Sequence, residues 1–134
     1  GEIGLIEYSD RKDIPQKQLE TLFASVDWES AKYPERLARA MRGFSTVYSA
    51  WEADSLCGLI AVLDDGEMTA YVHYLLVHPD AQRRGVGSEL LCRVMRKYHT
   101  YTRIVLHAEG KASSFYEKHG FIRMDATAML YRTR

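Results

Sequence analysis

Apolar residues along the chain change period several times, and each change marks an element. Residues 2–8 alternate around Ile3, Leu5, Ile6 and Tyr8 and predict a first strand. Pro15 opens a helix over 17–24, with Leu19, Leu22 and Phe23 on one face, because proline suits a first helical turn. Residues 27–33 form a loop carrying Trp28 and Tyr33. A second helix runs from Pro34 to about Arg42, its stripe being Leu37, Ala38 and Met41, and Gly43 stops it. Three strands follow at 46–53, 56–63 and 68–77, with a turn at Ala53-Asp54-Ser55 and a hairpin signal at Asp64-Asp65-Gly66. His78-Pro79-Asp80 breaks the third. A long helix covers 85–98 with Val86, Leu90, Leu91, Val94 and Met95 inward. Residues 103–108 are a strand, 112–119 a short helix, and 121–131 one or two closing strands.

This order predicts an α/β (α+β) fold, with a mixed, mostly antiparallel sheet of six to seven strands flanked by about four helices. A length of 134 residues suits a single domain, 1–134, with one core. No repeat or low-complexity stretch interrupts it. The 46% apolar and 27% charged content excludes disorder as the ruling state. Eighteen basic residues balance eighteen acidic ones, so nucleic acid is not expected as a partner, since phosphate-backbone binding needs a basic excess. No apolar run reaches membrane-spanning length and no leader pattern opens the chain, so a cytoplasmic protein without a membrane partner is the expectation. Cys57 and Cys92 sit in apolar settings and are expected to be buried thiols. No histidine pair has metal-ligand spacing, so no metal is expected.

Chemistry concentrates between Leu75 and Leu91. There Gln82-Arg83-Arg84-Gly85-Val86-Gly87 joins an apolar strand to an apolar helix. Two glycines let main chain approach a bulky ligand, and the helix N-terminus points free N–H groups and its positive dipole end at the turn. That combination holds a diphosphate. A P-loop would need lysine after Gly87, where Ser88-Glu89 stands. A dinucleotide fingerprint would need Gly or Ala where Leu90 stands and an earlier place in the chain.

With Gln82, Gly85 and Gly87 in this position, and Phe115-Tyr116-Glu117-Lys118-His119-Gly120-Phe121 one helix and one strand later, the chain resembles the GNAT superfamily of acyl-CoA-dependent N-acetyltransferases. The resemblance covers residues 46–121 well and the earlier helices loosely. It departs at Glu109, where many members have asparagine seven residues before the motif tyrosine. It implies splayed central strands with the pantetheine arm of acetyl-CoA between them. Leu75, Leu76 and Val77 would line that slot, and Gln82, Arg83, Arg84, Gly85, Val86, Gly87 and Ser88 would hold the diphosphate.

The implied reaction, amine attack on a thioester, needs a donor for the oxyanion, an acceptor for the amine proton and an acid for the thiolate. The resemblance offers the Leu75 N–H, His73 and Tyr116 in turn. Strand alternation sets Tyr71, His73 and Leu75 on one face. A histidine occupies the position of His73 in arylalkylamine-type members. In histone-type members a glutamate stands two residues earlier, where this chain has Tyr71, so the resemblance is nearer to small-amine members. Trp28, Tyr33 and Tyr71 are candidate linings of the acceptor pocket, and Glu29 a candidate attractor for a cationic amine. His78, His99, His107 and His119 carry no positional warrant. Three functions stay open: acetyl transfer to a small-molecule amine, transfer to a protein or peptide, and a non-catalytic acyl-CoA-binding module. Family members are often dimers, which makes a homodimer an expectation by analogy.

Overall fold

The computed structural model describes residues 4–133. Ile3 and the start of the predicted first strand lie outside them. In chain order the elements are β1 (Ile6–Ser9), α1 (Gln16–Ser25), α2 (Pro34–Gly43), β2 (Thr46–Glu52), β3 (Ser55–Asp64), β4 (Thr69–Val77), α3 (Val86–Lys97), β5 (Arg103–Leu106) and α4 (Ala112–Lys118). Short 3-10 turns at Glu29–Lys32 and Pro79–Ala81 punctuate the two longer loops.

The strands form one sheet in the order β1-β2-β3-β4-β5, antiparallel except for the parallel β4–β5 pair. Helices α1 and α2 cover one face. There Leu19, Leu22, Phe23 and Met41 are fully buried against Leu59, Ala61 and Leu76, each large side chain contributing roughly 1.5–3 kcal/mol of burial. Helix α3 covers the other face, placing Val86, Leu90, Leu91 and Val94 against Ile60, Val62, Ala70 and Val72. Gly58 lets α3 come this close, since a Cβ there would lie 2.8 Å from Val86 Cγ1 and 3.3 Å from Leu90 Cδ1. The far end of α3 is pinned by Tyr98, whose hydroxyl donates to Asp64 Oδ2 at 2.6 Å and shares a 2.6 Å bond with Thr46 Oγ1.

The expectation of six to seven strands is overturned: among the described residues the sheet has five, and residues 121–131 form none. Alternating apolar residues make a strand only where a ladder partner is in reach. Arg123 instead turns back onto α4, with Nε at 3.2 Å from Glu117 Oε1 and Nη2 at 2.9 Å from Ser113 Oγ. The Phe121 N–H likewise donates to the Tyr116 carbonyl. Ile122, Met129, Leu130 and Tyr131 are left mostly exposed.

Strand β4 is fastened at one end and parts from its neighbour at the other. Its start is fixed to β5 through the Met68 carbonyl, which accepts from the N–H groups of Thr102 (2.9 Å) and Arg103 (3.2 Å) and from the Thr102 hydroxyl (2.8 Å). Pairing with β5 then runs from Thr69↔Arg103 to Val72↔Leu106 and stops, although β4 continues to Val77. At the same point β4 carries a bulge. Ala61 pairs with Tyr74 and Val62 with Val72, so His73 has no opposite number on β3. A bulge bends its strand and adds twist, and here it does so where β5 is left behind.

Candidate active site

The turn before α3 is built to offer donors. Arg83 (φ 64°) and Gly85 (φ 78°) both adopt the left-handed region on either side of Arg84, a conformation that brings successive N–H groups toward one side. It costs a non-glycine residue such as Arg83 about 1–2 kcal/mol. Among the described residues, no N–H from Arg83 to Ser88 finds a main-chain acceptor, and Gly85 gives the helix no side-chain cap. Six donors in a concave turn at a helix N-terminus suit a diphosphate. Phe115 packs beside this turn, where a Cβ at Gly87 would lie in ordinary contact with its Cζ at 3.5 Å.

The side chains of this turn divide. Arg84 faces away from the turn: its guanidinium grips Glu52 through two bonds of 3.0 and 2.9 Å and reaches the Gly4 carbonyl at 2.8 Å. Those bonds hold the Glu52 carboxyl below its ordinary range. Arg84 therefore ties the turn to β2, and only its main chain is free for a ligand. Gln82 donates its amide to the Val77 carbonyl at 3.3 Å. Arg83 is exposed.

Beyond Val72 the open edge of β4 supplies a second set of groups. The His78 N–H bonds the Cys57 carbonyl. By antiparallel alternation Leu76 and Tyr74 also point their main chain at β3, and Leu75 and Val77 point theirs to the side that β5 has vacated. Leu76 is thereby removed from the candidate slot. Its main chain pairs with Leu59 of β3 and its side chain is buried under α1 and α2.

The bulge also corrects the predicted facing. Tyr71 and His73 share a face with Tyr74 and Leu76, while Leu75 packs with Val77 on the α3 side. His73 stacks on Phe44 (centroids 5.9 Å), meets Tyr74 edge-on at 4.4 Å and lies 5.7 Å from Tyr71. Tyr74 continues to Trp28 at 5.8 Å and bonds Ser30 Oγ at 2.8 Å. Tyr71 contacts His107, ring to ring at 5.5 Å and hydroxyl to Nδ1 at 3.5 Å. The structure thus gathers Trp28, Tyr71 and His73 and adds Phe44, Tyr74 and His107. Tyr33 stands apart, half exposed with the Arg36 guanidinium 6.0 Å from its ring. Glu29 is paired with Arg132 at 3.5 Å on the surface, which weakens its case as an amine attractor.

Desolvation, and secondarily the charge of His107, lowers the basicity of His73 below its ordinary 6.5, so it is neutral and able to accept a proton at pH 7. Tyr116 packs with Phe115 and Phe121 on the α3 side of the sheet. Burial raises its phenol above the ordinary 10. It borders a cavity of about 480 Å³ on the outer side of β5, lined also by Leu106, His107, Phe121, Met124 and Ala128. No β4 residue lines that cavity, which is therefore distinct from the β4–β5 gap. His73, against Phe44, and Tyr116, in the cluster under α3, lie on opposite faces of the sheet. Glu109 is exposed, and its carbonyl accepts from Ala112 at the start of α4.

Cys57 and Cys92 are free thiols, the first buried and the second half-buried. Among the described residues no three His, Cys, Asp or Glu side chains converge as a metal site, and no helix is long and apolar enough to cross a membrane.

Known proteins agree with this architecture. The family described as "Acetyltransferase (GNAT) domain" matches residues 10–129. The uncharacterised N-acetyltransferase ycf52 of Pyropia yezoensis is 29% identical over 125 residues, covering 88% of this chain and 71% of its own length. Its counterpart in Porphyra purpurea is 29% identical over 122 residues, covering 86% and 69%. A GNAT-family acetyltransferase structure from Streptococcus pneumoniae TIGR4 superposes with a TM-score of 0.82 at 26% identity, over 97% of this chain and 99% of that one. A glycine turn rich in free donors, an opened sheet edge and a family match across most of the chain lead to one assignment: this chain belongs to the GNAT acetyltransferase family.

Proposed function

We propose that this chain transfers an acetyl group from acetyl-CoA to the primary amine of a small molecule by direct attack, with an arylalkylamine-like acceptor. What carries the proposal is the pairing of two surfaces that lack main-chain partners, the turn from Arg83 to Ser88 and the β4 edge at Leu75 and Val77, where the Val77 carbonyl is met by the Gln82 side-chain amide. One suits the coenzyme's diphosphate and the other its amide-bearing arm. The Arg83–Ser88 donors fit the diphosphate without any side-chain cation, since Arg84 is engaged by Glu52.

Acetyl-CoA supplies an acyl group activated as a thioester. The Leu75 N–H, directed into the gap, would meet the negative charge that develops on the carbonyl oxygen. His73 would take the proton that the amine nitrogen loses as its bond to carbon forms. As the carbon–sulfur bond breaks, Tyr116 would give its proton to the departing sulfur. A phenol is a weaker acid than a thiol in water and burial raises both, so the proton transfer is uphill on its own and is drawn forward by collapse of the tetrahedral adduct to the amide. Base and acid on opposite faces let the amine arrive and the sulfur leave without crossing.

The rings of Phe44, Tyr71 and Tyr74 around His73, with Trp28 beyond Tyr74, favour an acceptor with an apolar or aromatic body. Tyr71 also supports the small-amine over the histone-type arrangement. Thiol release, followed with a thiol reagent over a panel of arylalkyl amines, alkyl amines and peptides, tests the proposal. Turnover on arylalkyl amines is the expected outcome. Activity on peptides alone would move the chain to protein acetylation, and coenzyme binding without turnover on any acceptor would make it a binding module.

A further inference from the structure

Helix α4 carries the acid yet has few means of holding its place. It is seven residues long, no residue in it is fully buried, and no side chain caps its N-terminus. Apart from the bonds it receives from Arg123 in the segment that follows it, its side-chain link to α3 is His119, the residue that ends it. The His119 Nε2 lies 3.1 Å from the Ser88 Oγ in the first turn of α3, and its Nδ1 lies 4.0 Å from the Cys92 Sγ one turn further on. Its ring is 5.1 Å from Phe115, the residue that rests against Gly87. Its N–H donates to the Tyr116 carbonyl at 2.9 Å.

We propose that His119 is a positioning residue that fastens the Tyr116-bearing helix to the diphosphate turn, fixing the distance between the coenzyme's anchor and its acid. Ser88 takes part twice, its N–H among the diphosphate donors and its hydroxyl on His119. A serine hydroxyl can donate or accept, so the bridge stands with a neutral or a protonated imidazole. Displacing a catalytic group by about 1 Å can cost a hundredfold in rate, and a short helix released at one end moves on that scale.

The inference rests on the proposed acetyl transfer for its kinetic readout. His119→Ala should lower kcat about tenfold while the Kd for acetyl-CoA stays within about twofold, because the main-chain donors are untouched. His119→Gln, whose amide can reach Ser88, should recover most of the loss. Ser88→Ala should lower kcat like His119→Ala, and the double variant should be no worse than either single one. An unchanged kcat in His119→Ala, equal loss in the Gln variant, or multiplying losses would overturn the inference. Should the wild-type protein turn over no amine, acetyl transfer itself fails, and the bridge is read from imidazole resonances instead. Ser88→Ala must then shift the His119 Nε2 signal in the free protein, and CoA must shift it in the wild type; silence in either measurement overturns the link.

Discussion

Placing a methyl group at Gly58 tests how tightly α3 is held against the sheet. In Gly58→Ala the new Cβ would stand 2.8 Å from Val86 Cγ1 and 3.3 Å from Leu90 Cδ1. The first distance falls about 0.7 Å short of ordinary carbon–carbon contact. Neither neighbour has room, since Val86 is 2% exposed and Leu90 is 0% exposed, and a helical valine has essentially one rotamer. The helix start must therefore move, at an overpacking cost of roughly 1–3 kcal/mol. For 134 residues the unfolding entropy is about 280 cal/mol/K, so Tm should fall by about 4–11 °C. Val86 is also the first residue of α3, so the Arg83–Ser88 donors shift with it. Acetyl-CoA affinity should drop about tenfold, the equivalent of one or two neutral hydrogen bonds. Differential scanning calorimetry and titration calorimetry read the two effects, with Gly43→Ala as control because a Cβ there meets nothing within 4 Å. Val86→Ala in the Gly58→Ala background should restore affinity. A Gly58→Ala protein that melts and binds like the wild type would refute the account of how α3 sets the turn.

Tyr116→Phe should lower kcat on the order of a hundredfold with acetyl-CoA affinity nearly intact. Because burial raises the Tyr116 phenol, the alkaline fall in wild-type kcat should lie above pH 10, and stopped-flow turnover at high pH would check it. His73, with its basicity lowered, should give a kcat/KM that rises with pH through a midpoint below 6.5 and is then flat. His107→Gln removes the secondary cause and should move that midpoint upward; an unmoved profile would mean that His73 is not the titrating base. Arg83→Gly keeps the main-chain donor, relieves a left-handed arginine at φ 64° and deletes the guanidinium. Unchanged acetyl-CoA affinity with a Tm equal to or above the wild type is expected, whereas a loss beyond about fivefold would give the side chain a direct role in binding.

Much of the frame was legible because it depends on local periodicity. Leu19, Leu22 and Phe23 mark the buried face of α1 by spacing alone, and Val86, Leu90, Leu91 and Val94 do so for α3. The glycine turn was readable for a similar reason, since its chemistry lies in consecutive main-chain groups. The bulge carries a fainter trace. Ala70, Val72, Leu75 and Val77 face α3 at spacings of two, three and two, and that odd step of three moves His73 to the face of Tyr74. Arg84 looked like a ligand for phosphate because nothing near it in sequence announces Glu52, thirty-two residues away. The same distance problem hid His107 beside Tyr71 and His119 beside Ser88. Closing strands were expected from the apolar rhythm of the C-terminal segment, which says nothing of whether a neighbouring ladder is available.

The anchoring of β5 at the Met68 carbonyl makes the depth of the cleft a matter of counting. Four rungs separate that knot from the fork, and the parallel register allows no sliding once the knot is tied. Lengthening or shortening the loop after Leu106 leaves the crotch of the fork where it is. Removing a single residue between Thr102 and Leu106 would raise or lower it by one rung, roughly 3.3 Å, about the length of two bonds of the arm it is shaped to receive. The depth of the fork is therefore indifferent to the length of the loop that follows it and set to the residue by the strand that precedes it.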